Sequence, residues 1–244
     1  MSEVSHFELL LKPQAPSGPG SSGSQSVATV LQGYFLELTN LEDETYQFRV
    51  DLVIEPPGQN LANRNQRTLA GTALAFVDTS TQNNQQSSFS GSIGDAVFPL
   101  PNGLVDVQPG GTALISVLPN AFQSNSPIPL GRGGNSPDYE VRGYVRLRLP
   151  PTASSVGSGR FRLPTAQSDK PVKVLATPQN RSTYLAFDPS SSMGPPVEIT
   201  DQTQALLPLA DGQARLEVEP ESLFFTFGAR APEDALERAE RVAQ

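Results

Sequence analysis

The sequence predicts an all-β protein: an antiparallel β-sandwich with additional C-terminal strands and a short C-terminal helix. Three observations carry that expectation. Residues 45–55, "TYQFRVDLVIE", put Tyr46, Phe48, Val50, Leu52 and Ile54 on one face and mostly polar residues on the other. A period of two lines one side of a strand and cannot line one side of a helix. Only Val53 interrupts it. Residues 139–149, "YEVRGYVRLRL", alternate more cleanly, with Tyr139, Val141, Gly143, Val145, Leu147 and Leu149 opposite Glu140, Arg142, Tyr144, Arg146 and Arg148. Third, the chain holds 23 prolines and 20 glycines but only 17% charged residues, so its polarity comes from turn formers rather than from helix-favouring Glu and Lys.

In chain order, Phe7 to Leu11 read as a short strand, followed by "KPQAPSGPGSSGSQS", residues 12–26, with the composition of a flexible linker. A strand over 27–38 leads through the turn "TNLEDE" into the strand at 46–54. Pro56 and Pro57 end that strand by removing ladder donors. Further strands are expected at 68–78, 88–98, 103–107 and 112–118, the last two joined by Pro109, Gly110 and Gly111. The loop-like "PPTASSVGSG" near 150–159 marks a boundary. Beyond it, shorter strands at 160–163, 172–177, 183–187, 213–219 and 222–227 either form a second small sheet or extend the first. The final "PEDALERAERVAQ" reads as a helix, with Pro232 at its first position and Glu233 and Asp234 in its first turn. The expected organisation is a strand and linker over 1–26, a sandwich over 27–150, a second β region or sheet extension over 151–228, and a helical tail over 229–244.

"GYFLELTNLEDETYQFRVDL" followed by "DVQPGGTALISVLP" resembles the strand-turn-strand and Pro-Gly turn patterns of bacterial immunoglobulin-like modules. The resemblance covers roughly half of the chain and lacks the Cys…Trp…Cys signature, since the sequence has neither residue. It implies an immunoglobulin-like or jelly-roll-like sandwich and no particular function.

Composition narrows the partners. A net charge of −8 argues against nucleic acid, whose phosphates are bound by Lys and Arg. With no cysteine, disulfides, thiolate nucleophiles and Cys-zinc sites are excluded. No window approaches the ~20 apolar residues of a membrane-spanning helix, so no membrane insertion is expected. "MSEVSHFELLLKPQ" lacks a basic leader with a long apolar run. The default expectation is therefore cytoplasmic, the alternative being the cell surface or exterior by a signal-independent route.

The catalytic inventory is thin. His6 is the only histidine and reads as an incidental surface or strand residue. No G-x-S-x-G elbow supports a serine nucleophile. "GRGGNSPDYE", residues 131–140, lacks the Lys-Ser/Thr ending of a phosphate loop and runs into a strand, so it reads as a turn. Glu42, Asp43 and Glu44 lack the alternating spacing of a calcium loop and read as a solvated turn. Glu217, Glu219 and Glu221 alternate along one strand face, whereas paired glycosidase acids come from separate elements. Asn180, Arg181 and Ser182 match a glycosylation acceptor, which matters only in a secretory pathway. No catalytic residue, cofactor or metal ligand is assigned.

Surfaces remain. Residues 132–162 carry a net +4, while residues 1–60 and 198–244 each carry −6. Arg142, Arg146 and Arg148 on one strand face suit carboxylates of a neighbouring subunit, or else form a solvated face or pair with Glu217 and Glu219 of the same chain. The strand carrying Phe7, Leu9 and Leu11 either adds to a neighbour's sheet edge or folds back on its own. In "SLFFTFG", Phe224 faces away from Leu223, Phe225 and Phe227, which requires cover on both faces. These features predict a non-enzymatic structural or self-assembly subunit of a filament, sheath, shell or surface layer, a homo-oligomer or polymer. The alternative is a monomeric sandwich that binds carbohydrate or peptide through its loops.

Overall fold

The protein is described by a computed structural model covering residues 2–13, 29–61, 64–80, 84–121, 128, 138–154, 163–186, 198–210 and 212–221. Within these lie β1 (Ser2–Pro13), β2 (Thr29–Asn40), β3 (Tyr46–Ile54), β4 (Ala73–Asp78) and β5 (Gln85–Ser88). They continue with β6 (Val97–Pro99), β7 (Val105–Val107), β8 (Thr112–Pro119), β9 (Tyr139–Arg148) and β10 (Thr152–Ser154). The last are β11 (Leu163–Thr165), β12 (Val172–Ala186), β13 (Glu198–Leu206) and β14 (Arg215–Val218). All paired strands are antiparallel, as the alternation predicts.

The two cleanly alternating stretches lie side by side, with Leu52 of β3 opposite Val145 of β9. Tyr46, Phe48, Val50, Leu52 and Ile54 are all buried, and so are Tyr139, Val141, Val145 and Leu147. Each such side chain contributes about 1.5–3 kcal/mol by leaving water, so one face of this pair holds the core in place.

β2 organises the rest. One of its edges pairs with β12 from Thr29 to Asn40. The other edge is shared: Thr29 to Gln32 face β1, and Tyr34 to Thr39 face β8. The sheet therefore branches at Gly33, into β8-β4-β5 on one side and β1-β9-β3-β6 on the other. Phe7 of β1 packs on Tyr34 with ring centroids 6.0 Å apart, and Ser5 Oγ lies 3.0 Å from the Tyr34 hydroxyl. The result is a large curled sheet around one core. Backbone bridges between Ser5 and Leu209 and between Leu149 and Pro220 join its far sides.

Several elements differ from expectation. β1 is longer than 7–11 and is an interior strand. The strand expected at 88–98 is absent: Gly91 has a positive φ of 136°, and Ser92 N donates to Asp95 Oδ2 at 2.7 Å, which makes "SGSIGD" a turn between β5 and β6. Residues 68–72 form a turn with Gly71 at φ 71° before β4 begins. The strands read at 172–177 and 183–187 are one strand, β12, which carries the later residues into the main sheet. Its Pro178 falls between the stretches paired with β14 and β13, where the missing N–H leaves no gap in either ladder. β13 has no counterpart in the sequence reading. The strand at 222–227 and the C-terminal helix lie outside the described residues, as does most of 160–163.

Candidate functional site

The interface residues named from sequence fall in three places. Phe7, Leu9 and Leu11 are buried inside this chain, at 3%, 0% and 0% exposure. β1 pairs with β9 from Ser2 to Leu11 and with β2 from Leu10 to Pro13, so both of its edges are engaged within the same chain. Phe224 lies outside the described residues. The three arginines lie on the outer face of β9.

Those arginines meet carboxylates of their own chain, though not Glu217 or Glu219. Arg142 Nε donates to Glu8 Oε1 at 2.5 Å, and its Nη2 lies 2.7 Å from Glu140 Oε1. Glu140 also takes Lys12, which lies 3.5 Å from Asp138, and Asp138 lies 2.9 Å from Arg67. Six charges thus alternate in sign from Glu8 to Arg67 across β1 and β9. The Lys12 hydrogen bond holds the Glu140 carboxyl below its ordinary range, outweighing burial, with the Lys12, Arg142 and Arg67 charges adding.

A second cluster surrounds Asp51, which is 0% exposed. Arg49 Nε donates to Asp51 Oδ1 at 2.8 Å. Arg148 Nη1 and Arg146 Nη2 lie 3.4 and 3.8 Å from Asp51 Oδ2. Arg148 also pairs with Glu221, whose hydrogen bond raises the guanidinium's pKa. Alternation alone places Asp51 on the polar face. Its burial beneath three guanidiniums comes from the register of β3 on β9, which no local pattern encodes.

An open groove of about 670 Å³ runs across β1, β9 and β3. Phe7, Ile54, Tyr144 and Leu207 supply apolar wall, while Glu8, Glu55 and Arg142 supply charge and His6 a polar ring. Both Glu8 side-chain oxygens are engaged, by Arg142 and by Gln32 Nε2 at 3.1 Å, and Ser182 Oγ orients Gln32 at 2.8 Å. Asn180, the first residue of the acceptor pattern, contributes a buried Oδ1 with no hydrogen-bond partner among the described residues. Gly143 lets the three strands approach: a Cβ there would stand 1.9 Å from the Val53 carbonyl oxygen.

The other sequence candidates stay apart. Glu42 anchors a turn, accepting Lys173 N at 3.1 Å, and Asp43 and Glu44 are exposed beside it. Glu217 and Glu219 are exposed, while Glu221 belongs to the Asp51 cluster. Among the described residues no group of three His, Asp or Glu side chains is placed to hold a metal ion.

The sheet edges complete the surface. Along β5-β4-β8-β2-β12-β13 the terminal strands are β5, of four residues, and β13, of nine. Neither has a second strand partner among the described residues. Gln202 to Leu206 are all exposed, and Leu206 at 71% is the most exposed large hydrophobic side chain among the described residues.

No protein-family model, curated protein or solved structure matches this chain.

Proposed function

We propose that this chain is a non-enzymatic structural subunit that self-associates through the open edges of its curled sheet. The observation that carries this reading is the nine-residue edge strand β13 with its exposed Leu206. A long edge without lysine or proline is a template for another strand, and sheet proteins ordinarily blunt such edges. The contact moves away from the elements named from sequence, because β1 completes its own sheet and the β9 arginines serve carboxylates nearby. Pairing at β13 alone gives a closed dimer; pairing at β5 as well would run the layer from copy to copy in an open chain. Mass photometry of the purified protein over a dilution series, beside negative-stain electron microscopy, tests this. Dimers or ordered polymers are the expected result, and a 26.0 kDa monomer at every concentration overturns it.

A second reading is favoured by the groove. Its volume suits a small ligand, and the Glu55 carboxylate and Tyr144 hydroxyl on its wall suit the polar groups of a sugar or peptide. Under this reading a monomer would show saturable chemical-shift changes at Tyr144 and Asn180 with an oligosaccharide or a short peptide. Their absence across both ligand classes removes it.

A further inference from the structure

We infer that β13 pairs with β13 of a second copy, antiparallel about a two-fold axis at Ala205. This rests on the self-association reading and gives it a register. Gln179 pairs with Leu206, and Leu207 N donates to the Pro178 carbonyl at 2.9 Å in the same register. Hydrogen-bonded and non-bonded pairs alternate along an antiparallel ladder. Thr203 and Ala205 therefore direct their backbone groups at β12, while Gln204 and Leu206 direct theirs outward.

An axis at Ala205 sets Gln204 opposite Leu206 of the other copy, twice. Each pair exchanges two backbone hydrogen bonds, and all four outward groups of these residues are satisfied. Ala205 meets its symmetry mate in the close, non-bonded position, where a small side chain fits. The two Leu206 side chains become diagonal neighbours on one face, within reach of each other, and so leave water together.

Charge favours the same occupant. The chain carries −8, so most self-contacts bring like charges together. This register pairs only Gln204, Ala205 and Leu206 with their counterparts, all within the bounds of β13. The segment Gln202 to Leu206 has no charge at all.

The absence of cysteine makes the register directly testable on the full chain. Ala205→Cys should form an intermolecular disulfide under mild oxidation. Thr203→Cys should not, because the two Thr203 positions would stand at least roughly 14 Å apart, four residues at about 3.4 Å each. Gln204→Pro removes an outward N–H and the side-chain hydrogen bond to Gln179 but leaves the β12 backbone ladder intact. It should therefore melt like Gln204→Ala, which lacks the same side-chain bond, and dimerise at least about tenfold more weakly than that variant. Wild-type association that survives Gln204→Pro, with no Ala205→Cys disulfide, overturns this edge and leaves the self-association reading standing. A disulfide formed equally by Thr203→Cys overturns the register. A wild-type chain that stays monomeric overturns both the edge and that reading.

Discussion

Arg49 and Arg148 stand directly opposite each other on β3 and β9, and the buried carboxylate of Asp51 lies against both. Like charges in that position destabilise a ladder unless an anion lies between them. Asp51 supplies it, with Arg146 as a third neighbour. Asp51→Asn keeps the shape and removes the charge, leaving guanidiniums crowded in partly buried positions. A loss of about 3 kcal/mol is expected from urea unfolding, larger than for Arg49→Gln, since Arg49 is the more exposed partner. Equal losses for the two variants would show that Asp51 is not the hub.

Glu140 links Arg142 and Lys12, and its carboxyl is held low by the Lys12 hydrogen bond. A carboxyl depressed on folding contributes stability above its unfolded value, near 4.3, and loses it as pH falls through the folded value. Asp138 shifts the same way: burial pushes it up, and Arg67 and Lys12 together outweigh that. Stability should therefore decline from about pH 4.5 downward. Glu140→Gln should cost about 1 kcal/mol at pH 7 and flatten the acid limb, measured as urea midpoints at pH 7 and pH 3. An acid limb as steep as wild type would contradict the assignment.

Two glycines differ in what surrounds them. At Gly143 a Cβ meets the Val53 carbonyl oxygen at 1.9 Å, a backbone atom held in the β3–β9 ladder. At Gly33 the nearest atom, at 2.2 Å, is Leu118 Cδ2, the end of a side chain that can rotate. Gly143→Ala should cost about 3 kcal/mol and Gly33→Ala about 1 kcal/mol, compared by thermal unfolding. The reverse order would mean that β3 and β9 are not so closely apposed.

β1 is interior, with Phe7, Leu9 and Leu11 in the core. Deleting residues 1–13 should therefore abolish cooperative unfolding rather than release an intact, assembly-deficient fold. Phe7→Ala should cost about 3–5 kcal/mol. Circular dichroism melts of both variants decide it. A truncated chain with a wild-type melt would show that β1 is dispensable.

Much of the fold is legible where a strand is half-buried. β3 and β9 appear in the sequence with nearly their observed bounds, because a face that must leave water imposes a strict period of two. β13 is not legible: "EITDQTQAL" is mostly polar, Gln202 to Leu206 are exposed, and the segment becomes a strand because β12 presents a ladder to it. The halves of β12 read as two strands because Pro178 and the polar run after it break the pattern, while the continuous edge of β2 joins them. Alternation puts Asp51 on the polar face and Asn180 reads only as part of an acceptor pattern; register and packing alone give them their neighbours.

The sequence by itself determined the all-β class, the alternating core faces and the lack of cysteine chemistry, because these follow from composition and from a period local to each strand. Only the assembled fold makes the first strand interior, sets Glu8, Glu140, Asp51 and Glu221 against the β9 arginines, and gives β13 a single strand partner among the described residues. Those outcomes depend on which strands become neighbours and in what register. Pairings between residues as distant as Thr29 and Leu185 are set by the closing of one core, not by any local pattern.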